Sequence, residues 1–279
     1  MRPLLPQETG MVPKLNSLPG IAAVVFDIYG TLIISAAGDI GIEAGDGGEN
    51  ALSESSSISA EFGVSRGFLA GLFQNTIKRH QAERCLHGVA FPKVEIRAVW
   101  VEMLESLGVT VTGPEMVEEL ALRYECEVNP VWPMPHAAEV IRTIAQSGRS
   151  LGIVSNAQFY TRPVVEGLFD GTLDDLGFHP ELQVFSYEIR EGKPSLRLYE
   201  ILAECAGGLG IAPEQIFYLG NDMTKDVLPA RDLGFRTGLF AGDARSLRLG
   251  GFSQEEASHT ADAVITDLAQ LPALFHIPA

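Results

Sequence analysis

Four short stretches of the chain carry side chains able to do chemistry. The first is Val24-Val25-Phe26-Asp27-Ile28-Tyr29-Gly30-Thr31-Leu32, where an apolar run from Ile21 to Phe26 stops abruptly at a carboxylate. An ionised aspartate in such a place can attack an electrophilic centre and form a covalent aspartyl intermediate that water then opens. Gly30 lets the chain turn sharply, and Thr31 brings a hydroxyl close to the acid. The second stretch, Leu151-Gly152-Ile153-Val154-Ser155-Asn156, is another apolar run, ending in a hydroxyl and an amide. The third is Gly192-Lys193-Pro194, a lysine in a loop before a helix that Pro194 is suited to open. The fourth, Phe217-Tyr218-Leu219-Gly220-Asn221-Asp222-Met223-Thr224-Lys225-Asp226, follows a strand with two acids, Asp222 and Asp226, four residues apart. Singly, these are an ordinary strand end, a solvated lysine and a helix cap. Their shared setting at strand ends carries the reading, because open parallel sheets bind ligands at the carboxyl ends of their strands.

In this order the stretches resemble the four motifs of the haloacid dehalogenase-like (HAD) hydrolase superfamily, over the chain from about Ile21 to its last strand. The resemblance implies that Asp27 is the nucleophile. Ser155 and Asn156 would donate hydrogen bonds to the substrate's oxygens, with Thr31 beside them. Lys193 would hold Asp27 charged and neutralise developing negative charge. The resemblance also brings Asp27, Asp222 and Asp226 together against one lysine. Like charges so close destabilise a site unless a cation compensates. Mg2+ is the natural cation, since it prefers oxygen ligands and is commonly held by one or two carboxylates plus substrate phosphate. Its expected ligands are the side chains of Asp27 and Asp222 and the backbone carbonyl of Tyr29, with Asp226 in the coordination sphere or just behind it. A cap by Asp226 on the helix from Val227 to Leu233 is compatible with that role.

One position departs from the phosphatase pattern. Most phosphatases of the superfamily have an acid two residues after the nucleophile, which protonates the leaving alcohol, and this chain has Tyr29 there. General acid catalysis is worth roughly a hundred- to ten-thousand-fold in rate. Asp-x-Tyr-Gly-Thr instead looks like the true 2-haloacid dehalogenases, in which halide leaves without a proton, and Tyr199 also fits their spacing after Lys193. Asp222 points the other way, because dehalogenases work without metal and have small polar residues at that motif. The favoured reading is a Mg2+-dependent phosphatase-type hydrolase acting on a small anionic phosphorylated molecule. The alternatives are a metal-independent 2-haloacid dehalogenase and a weakened relative that binds a phosphorylated ligand without turnover.

The elements that must position these residues follow from pattern. Strands are expected at Leu182 to Ser186, Gln215 to Leu219, Arg236 to Phe240 and Ala263 to Thr266. Helices are expected at Ala137 to Gln146, Leu196 to Cys205 and Val227 to Leu233. Such alternation implies right-handed crossovers and an α/β fold, a Rossmann-like three-layer core with a parallel sheet. No Gly-x-Gly-x-x-Gly follows the first strand, so dinucleotide binding is unsupported. From about Ser59 to Val128 the pattern turns helical, with Phe68, Leu69, Leu72, Phe73 and Ile77 recurring at three- and four-residue steps. In the superfamily such an insertion after the first strand is a cap.

The expected organisation is an irregular arm over 1–20, a core domain over 21–34 and 131–279, and a flap and helical cap over 35–130. The patch Asp39-Ile40-Gly41-Ile42-Glu43 could form a short hairpin in the flap, and Pro130, Pro133 and Pro135 mark the return. Lys78, Arg79, His80, Arg84, His87, Lys93 and Arg97 make the cap the most basic part of an acidic chain, and as a group they could receive an anion. A formal net charge of -16 argues against nucleic acid or an anionic membrane as partner. No apolar run reaches the ~18 residues of a membrane span, and the N-terminus lacks a basic region followed by a long apolar core. Three scattered cysteines, Cys85, Cys126 and Cys205, suit reduced thiols used for packing. The expectation is therefore a soluble cytoplasmic protein, of an oligomeric state that the sequence leaves open.

Overall fold

The computed structural model of the chain describes residues 3–37 and 57–277, so the expected hairpin at Asp39–Glu43 lies outside the described residues. In chain order the strands are β1 (Ala23–Phe26), β2 (Ile33–Ser35), β3 (Val131–Pro133), β4 (Ser150–Ser155), β5 (Phe178–Phe185), β6 (Ile216–Gly220), β7 (Arg236–Phe240) and β8 (Ala263–Ile265). Six of them make one sheet in the order β5-β4-β1-β6-β7-β8, and every neighbouring pair is parallel. The first strand thus lies in the middle, with later strands added on both sides of it.

The helices that cover the sheet are reached through those between β2 and β3, which are α1 (Ser57–Glu61), α2 (Arg66–Leu86), α3 (Ile96–Ser106) and α4 (Pro114–Val128). The remainder are α5 (Ala137–Gln146), α6 (Thr161–Phe169), α7 (Ser186–Ile189), α8 (Arg197–Gly208), α9 (Leu228–Asp232), α10 (Gln254–Thr260) and α11 (Leu271–Leu274). Strand side chains alternate between faces, and β1 shows where each face goes. Val24 and Phe26 pack with Val140, Ile144, Val165 and Leu271, hence with α5, α6 and α11. Ala23 and Val25 pack with Leu198, Leu202 and Ala230, hence with α8 and α9. Both faces of the strand are covered, so all four of its residues are buried. The result is the three-layer core that the sequence pattern implies.

Helices α1 to α4 share a second apolar cluster, built on Ile58, Leu69, Phe73, Trp100, Leu104 and Leu120 and joined by Tyr160 from the segment before α6. Phe73, Trp100 and Tyr124 stack on one another with ring centroids 4.9 to 5.7 Å apart. The inward stripe of α2 is Leu69, Phe73 and Ile77, while Phe68 turns outward at 55% exposure. Consecutive helical residues sit about 100° apart, so a narrow stripe cannot hold both 68 and 69. The two ends of this insertion are tied by an antiparallel ribbon, with Ile33 opposite Pro133 and Ser35 opposite Val131.

Some boundaries and packing roles differ from expectation. β5 begins four residues earlier than expected, at Phe178, and α6, α10 and α11 lie in segments too short or too polar to show a clear period. Cys85 and Cys126 are exposed on α2 and α4, and Cys205 alone of the three packs against the core. A small side chain fits either side of a helix, so cysteine carries little orientation signal. No described helix is long and apolar enough to cross a membrane.

Candidate active site

β1, β4 and β6 run side by side, with Phe26 level with both Ile153 and Leu219. The residues at and just beyond their ends, Asp27, Ser155, Asn156, Asn221 and Asp222, therefore emerge together where the sheet's order switches direction. The Asp27 N–H donates to Leu219 O at 2.9 Å, so strand pairing extends to the acid itself. Its side chain is buried, at 7% exposure.

Lys193 comes to this edge from the loop before α8. Its Nζ lies 2.8 Å from Asp27 Oδ1 and 2.6 Å from Asp226 Oδ1. Asn156 fixes the lysine's backbone by accepting the Lys193 N–H on Oδ1 at 2.8 Å. Pro194 does not open the following helix. The chain first turns through Gly192 to Ser195, closed by Ser195 N–H donating to Gly192 O at 3.0 Å, and α8 starts only at Arg197. That turn holds residue 193 against Asn156 while α8 departs in its own direction.

Tyr218 on β6 completes the support. Its hydroxyl accepts from Lys193 at 3.3 Å and lies 3.0 Å from both Asp226 Oδ1 and Val154 O. Burial opposes a charge on Lys193, yet the carboxylates of Asp226 and Asp27 outweigh it and hold the ammonium well above the usual lysine range. Burial pushes the Asp226 carboxyl up, Lys193 pulls it back, and the charges of Asp27 and Asp222 add to the rise, leaving it at about 6.

The two acids of the fourth stretch play different parts. Asp226 has both oxygens engaged, because Oδ2 accepts the Asp222 N–H at 3.0 Å while Oδ1 faces Lys193. Asp222 is the helix cap, not Asp226. Its Oδ1 accepts from Thr224 N at 2.8 Å, Thr224 Oγ1 at 2.8 Å and Lys225 N at 2.9 Å. A cap must precede the first turn on extended backbone. Here a single π-helical turn, Met223–Val227, comes before α9, whose first turn holds Pro229. The expected helix is present as α9, Leu228–Asp232, and the turn that precedes it moves the capping role four residues back.

The remaining predicted residues are placed as follows. Ser155 is fully buried with its hydroxyl on Asn156 O at 3.3 Å, and Thr31, also fully buried, donates to Asn221 Oδ1 at 3.1 Å. Neither is among the residues that line the free space beside Asp27. The Tyr199 hydroxyl donates to Lys225 O at 2.6 Å and its ring packs edge-on to Tyr218, so it supports the site from beneath. The Tyr29 hydroxyl bonds Thr161 Oγ1 at 3.1 Å.

That free space is about 10 Å3, roughly the room of one water or one small ion. Asp27, Asp222 and Asp226 line it together with Lys193, Asn156 and Tyr29. Among the described residues no group of three His, Cys, Asp or Glu is set to hold a metal. With Asp226 committed to Lys193, Asp27 and Asp222 remain, and one or two carboxylates is the usual protein share of a Mg2+ site. The donor set fits that ion.

Sequence reasoning gave no role to Tyr218, Lys225 or Arg248, which support or line the same space. It also missed the loop from Asp243 to Phe252. A tyrosine inside an apolar strand has no mark to distinguish it from core. The loop was open to detection, since it follows β7 at the same sheet edge and carries Arg245 and Arg248 in an acidic chain. It clamps the first and fourth stretches: Asn221 Nδ2 donates to Ser246 O at 2.6 Å, and Ser246 Oγ donates to Gly30 O at 3.3 Å. Gly30 has φ +82°, and a Cβ there would come within 2.5 Å of Ser246 Cβ. Only glycine suits that position.

Of the basic residues in the helical insertion, several are spent elsewhere. Arg79 and His80 pair with Glu102, Arg97 with Glu95 and Glu118, and Arg84 donates to Arg190 O. Lys93 is buried with its side chain against Gly192 of the third stretch. Its backbone N–H donates to Arg190 O at 3.1 Å, Gly192 N–H donates to Phe91 O at 2.8 Å, and a Cβ on Gly192 would come 2.6 Å from Lys93 Cε and 2.9 Å from Asn156 Oδ1.

Comparison with known proteins gives the family and the fold. The sequence model of the haloacid dehalogenase-like hydrolases matches residues 21–234, and the chain belongs to that family of hydrolases. An uncharacterised hydrolase of Schizosaccharomyces pombe is 29% identical over 138 residues, a match that spans 48% of this chain and 58% of that protein. A HAD phosphatase from Thermococcus onnurineus superposes with a TM-score of 0.53 at 18% identity, covering 90% of this chain and 96% of the other. A 2-haloacid dehalogenase from Pseudomonas syringae pv. Tomato superposes at 0.59, also with 18% identity, over 91% and 97% of the two chains. At such identities the likeness to the two structures is one of fold.

Proposed function

We propose that the chain is a Mg2+-dependent phosphatase-type hydrolase of small phosphorylated molecules, with Asp27 as nucleophile. The observation that carries this reading is Asp222, a second carboxylate lining the ion-sized space beside Asp27. Side by side with the nucleophile it adds repulsion, which a metal-free reaction gives no reason to keep. Asp27 attacks phosphorus as the bond to the leaving oxygen breaks. Water then opens the aspartyl phosphate, releasing phosphate and restoring the carboxylate. Lys193 holds Asp27 ionised and in place, and Asn156 and Ser155 donate to the phosphoryl oxygens once Ser155 turns from Asn156 O. Mg2+, held by Asp27, Asp222 and the Tyr29 carbonyl, would neutralise phosphoryl charge. Asp226 orients Lys193 from behind, and residues 35–130 act as flap and cap over a core of 21–34 and 131–279.

Tyr29 supports a second reading. With a phenol at the position of the usual acid, the hydrolysis of esters with poor leaving groups is slow, and a 2-haloacid, whose halide needs no proton, suits the residue better. Assaying phosphate esters, acyl phosphates and 2-haloacids, each with Mg2+ and with chelator, decides between the two. Phosphate release that stops with chelator supports the phosphatase. Halide release in chelator, without phosphatase activity, overturns it.

A further inference from the structure

Arg248 lines the same small space as Asp27, on the core side of the site. Its backbone is locked to the fourth stretch, since Arg248 N–H donates to Asn221 O and Met223 N–H donates to Arg248 O, both at 2.9 Å. The loop that bears it is fixed a second time at Gly30 through Ser246. The guanidinium spends Nη1 on two backbone carbonyls, Arg245 O at 2.7 Å and Leu247 O at 3.1 Å. Among the described residues no carboxylate pairs with it; Arg84, Arg149 and Arg162 also lack an acid partner, but none of those three lines the space beside Asp27. Arg248 is exposed at the mouth of the site, and the half-buried Lys225 lines the space beside it.

A fixed, unpaired guanidinium next to a nucleophile is a receptor for a planar or tetrahedral anion. Asp27 and Lys193 already serve the phosphoryl group under the function proposed above, on which this step rests. We infer that Arg248 binds a second anionic group of the substrate, a carboxylate or a further phosphate carried close to the scissile phosphoryl. Substrate selection is then shared by the core and is not left to the helical insertion alone. Lys225 adds positive charge on the same side.

Non-hydrolysable phosphonates test this without turnover. Affinities of methylphosphonate, phosphonoacetate and methylenediphosphonate are measured by calorimetry in excess Mg2+ on wild type, Arg248→Met and Arg248→Lys. Wild type is expected to prefer one or both of the two-headed ligands by about thirtyfold, the worth of a charged hydrogen-bonded pair. Which one it prefers tells carboxylate from phosphate. In Arg248→Met the preference should fall to about threefold or less, with Arg248→Lys between, because a point charge replaces the fork. A wild type without preference, or a preference that survives in Arg248→Met at an unchanged thermal midpoint, overturns the inference. If the preference is present and lost as expected but no phosphate ester is ever hydrolysed, the phosphatase reading fails and the role of Arg248 stands.

Discussion

Tyr29 stands between two spaces of opposite character. On one side is the pocket of about 10 Å3 beside Asp27, crowded with three carboxylates, Lys193, Lys225 and Arg248. On the other is a cavity of about 630 Å3 between α4, β3 and α6, with mostly apolar walls that include Leu122, Val131, Trp132 and Val164. Its polar edge is a relay of bonds. Tyr160 OH donates to Glu125 Oε2 at 3.1 Å, Asn129 Nδ2 to Glu125 Oε1 at 2.9 Å, and Ser35 Oγ to Asn129 Oδ1 at 2.6 Å. The first space concentrates charge at the carboxyl ends of three neighbouring strands. The second lies where the ends of the helical insertion meet α6, with Glu125 as its one charged wall residue. The difference teaches that charge and apolar packing are kept on opposite sides of a single side chain, so changes on each side should give distinct signatures.

The largest effect should come from the charged side. Asp27→Asn is expected to abolish turnover of every substrate, by a thousandfold or more on the scale of nucleophile loss, roughly 4 kcal/mol in barrier, while circular dichroism stays native. A folded variant with most of its activity would end the nucleophile assignment. Lys193→Met comes next, because it leaves Asp27 and Asp226 facing each other without their shared cation. Breaking a buried pair in this way costs about 3–5 kcal/mol, read as a fall in the urea midpoint, and kcat should drop with it. A stable Lys193→Met protein would show that the cluster is less strained than its charges imply.

The two sides also differ in how far they could be read in the sequence. The charged side was legible because its strands are short apolar runs that end at polar residues, and a strand end fixes position to within a residue. Asp27, Asn156, Lys193 and Asp222 are brought together as the four stretches suggested. What escaped were residues whose place depends on tertiary closure: Tyr218, hidden in an apolar strand, and Arg248, on a loop with no period. The cap falls on Asp222 and not on the alternative, Asp226, and the extra turn at Met223–Val227 that moves it leaves no trace in hydrophobic spacing. The relay on the other side was invisible. Glu125 and Asn129 sit at the end of α4 like any solvated helix terminus, and only the fold reveals that they are buried at 6% and 1% exposure.

A third prediction sharpens the charged side further. Mg2+ should raise the thermal midpoint of wild type, by about 2.7 kcal/mol of stability at a hundred times its dissociation constant. Asp222→Asn should remove that gain and most of the phosphatase activity, while the amide oxygen still caps the turn. If the midpoint rises equally in both proteins, the ion is held elsewhere.

The smallest effect should come from Tyr29 itself. Tyr29→Phe keeps the ring between the two spaces and removes only the hydroxyl that bonds Thr161. Thr161 is then left with the Gln158 N–H it already accepts at 3.1 Å, so the loss should be about 0.5–1.5 kcal/mol, the net worth of one buried hydrogen bond. Because that hydroxyl is turned to Thr161, kcat should change by no more than about threefold, far short of the hundredfold or more expected from losing a general acid. Such an outcome, measured on an ester with a poor leaving group across the pH range, leaves the leaving-group proton to water or the substrate. A hundredfold fall in kcat, with the basic limb of the pH profile lost, would instead make the phenol the proton donor. Tyr29 would then belong to the chemistry of the charged side and no longer be a neutral wall between the two.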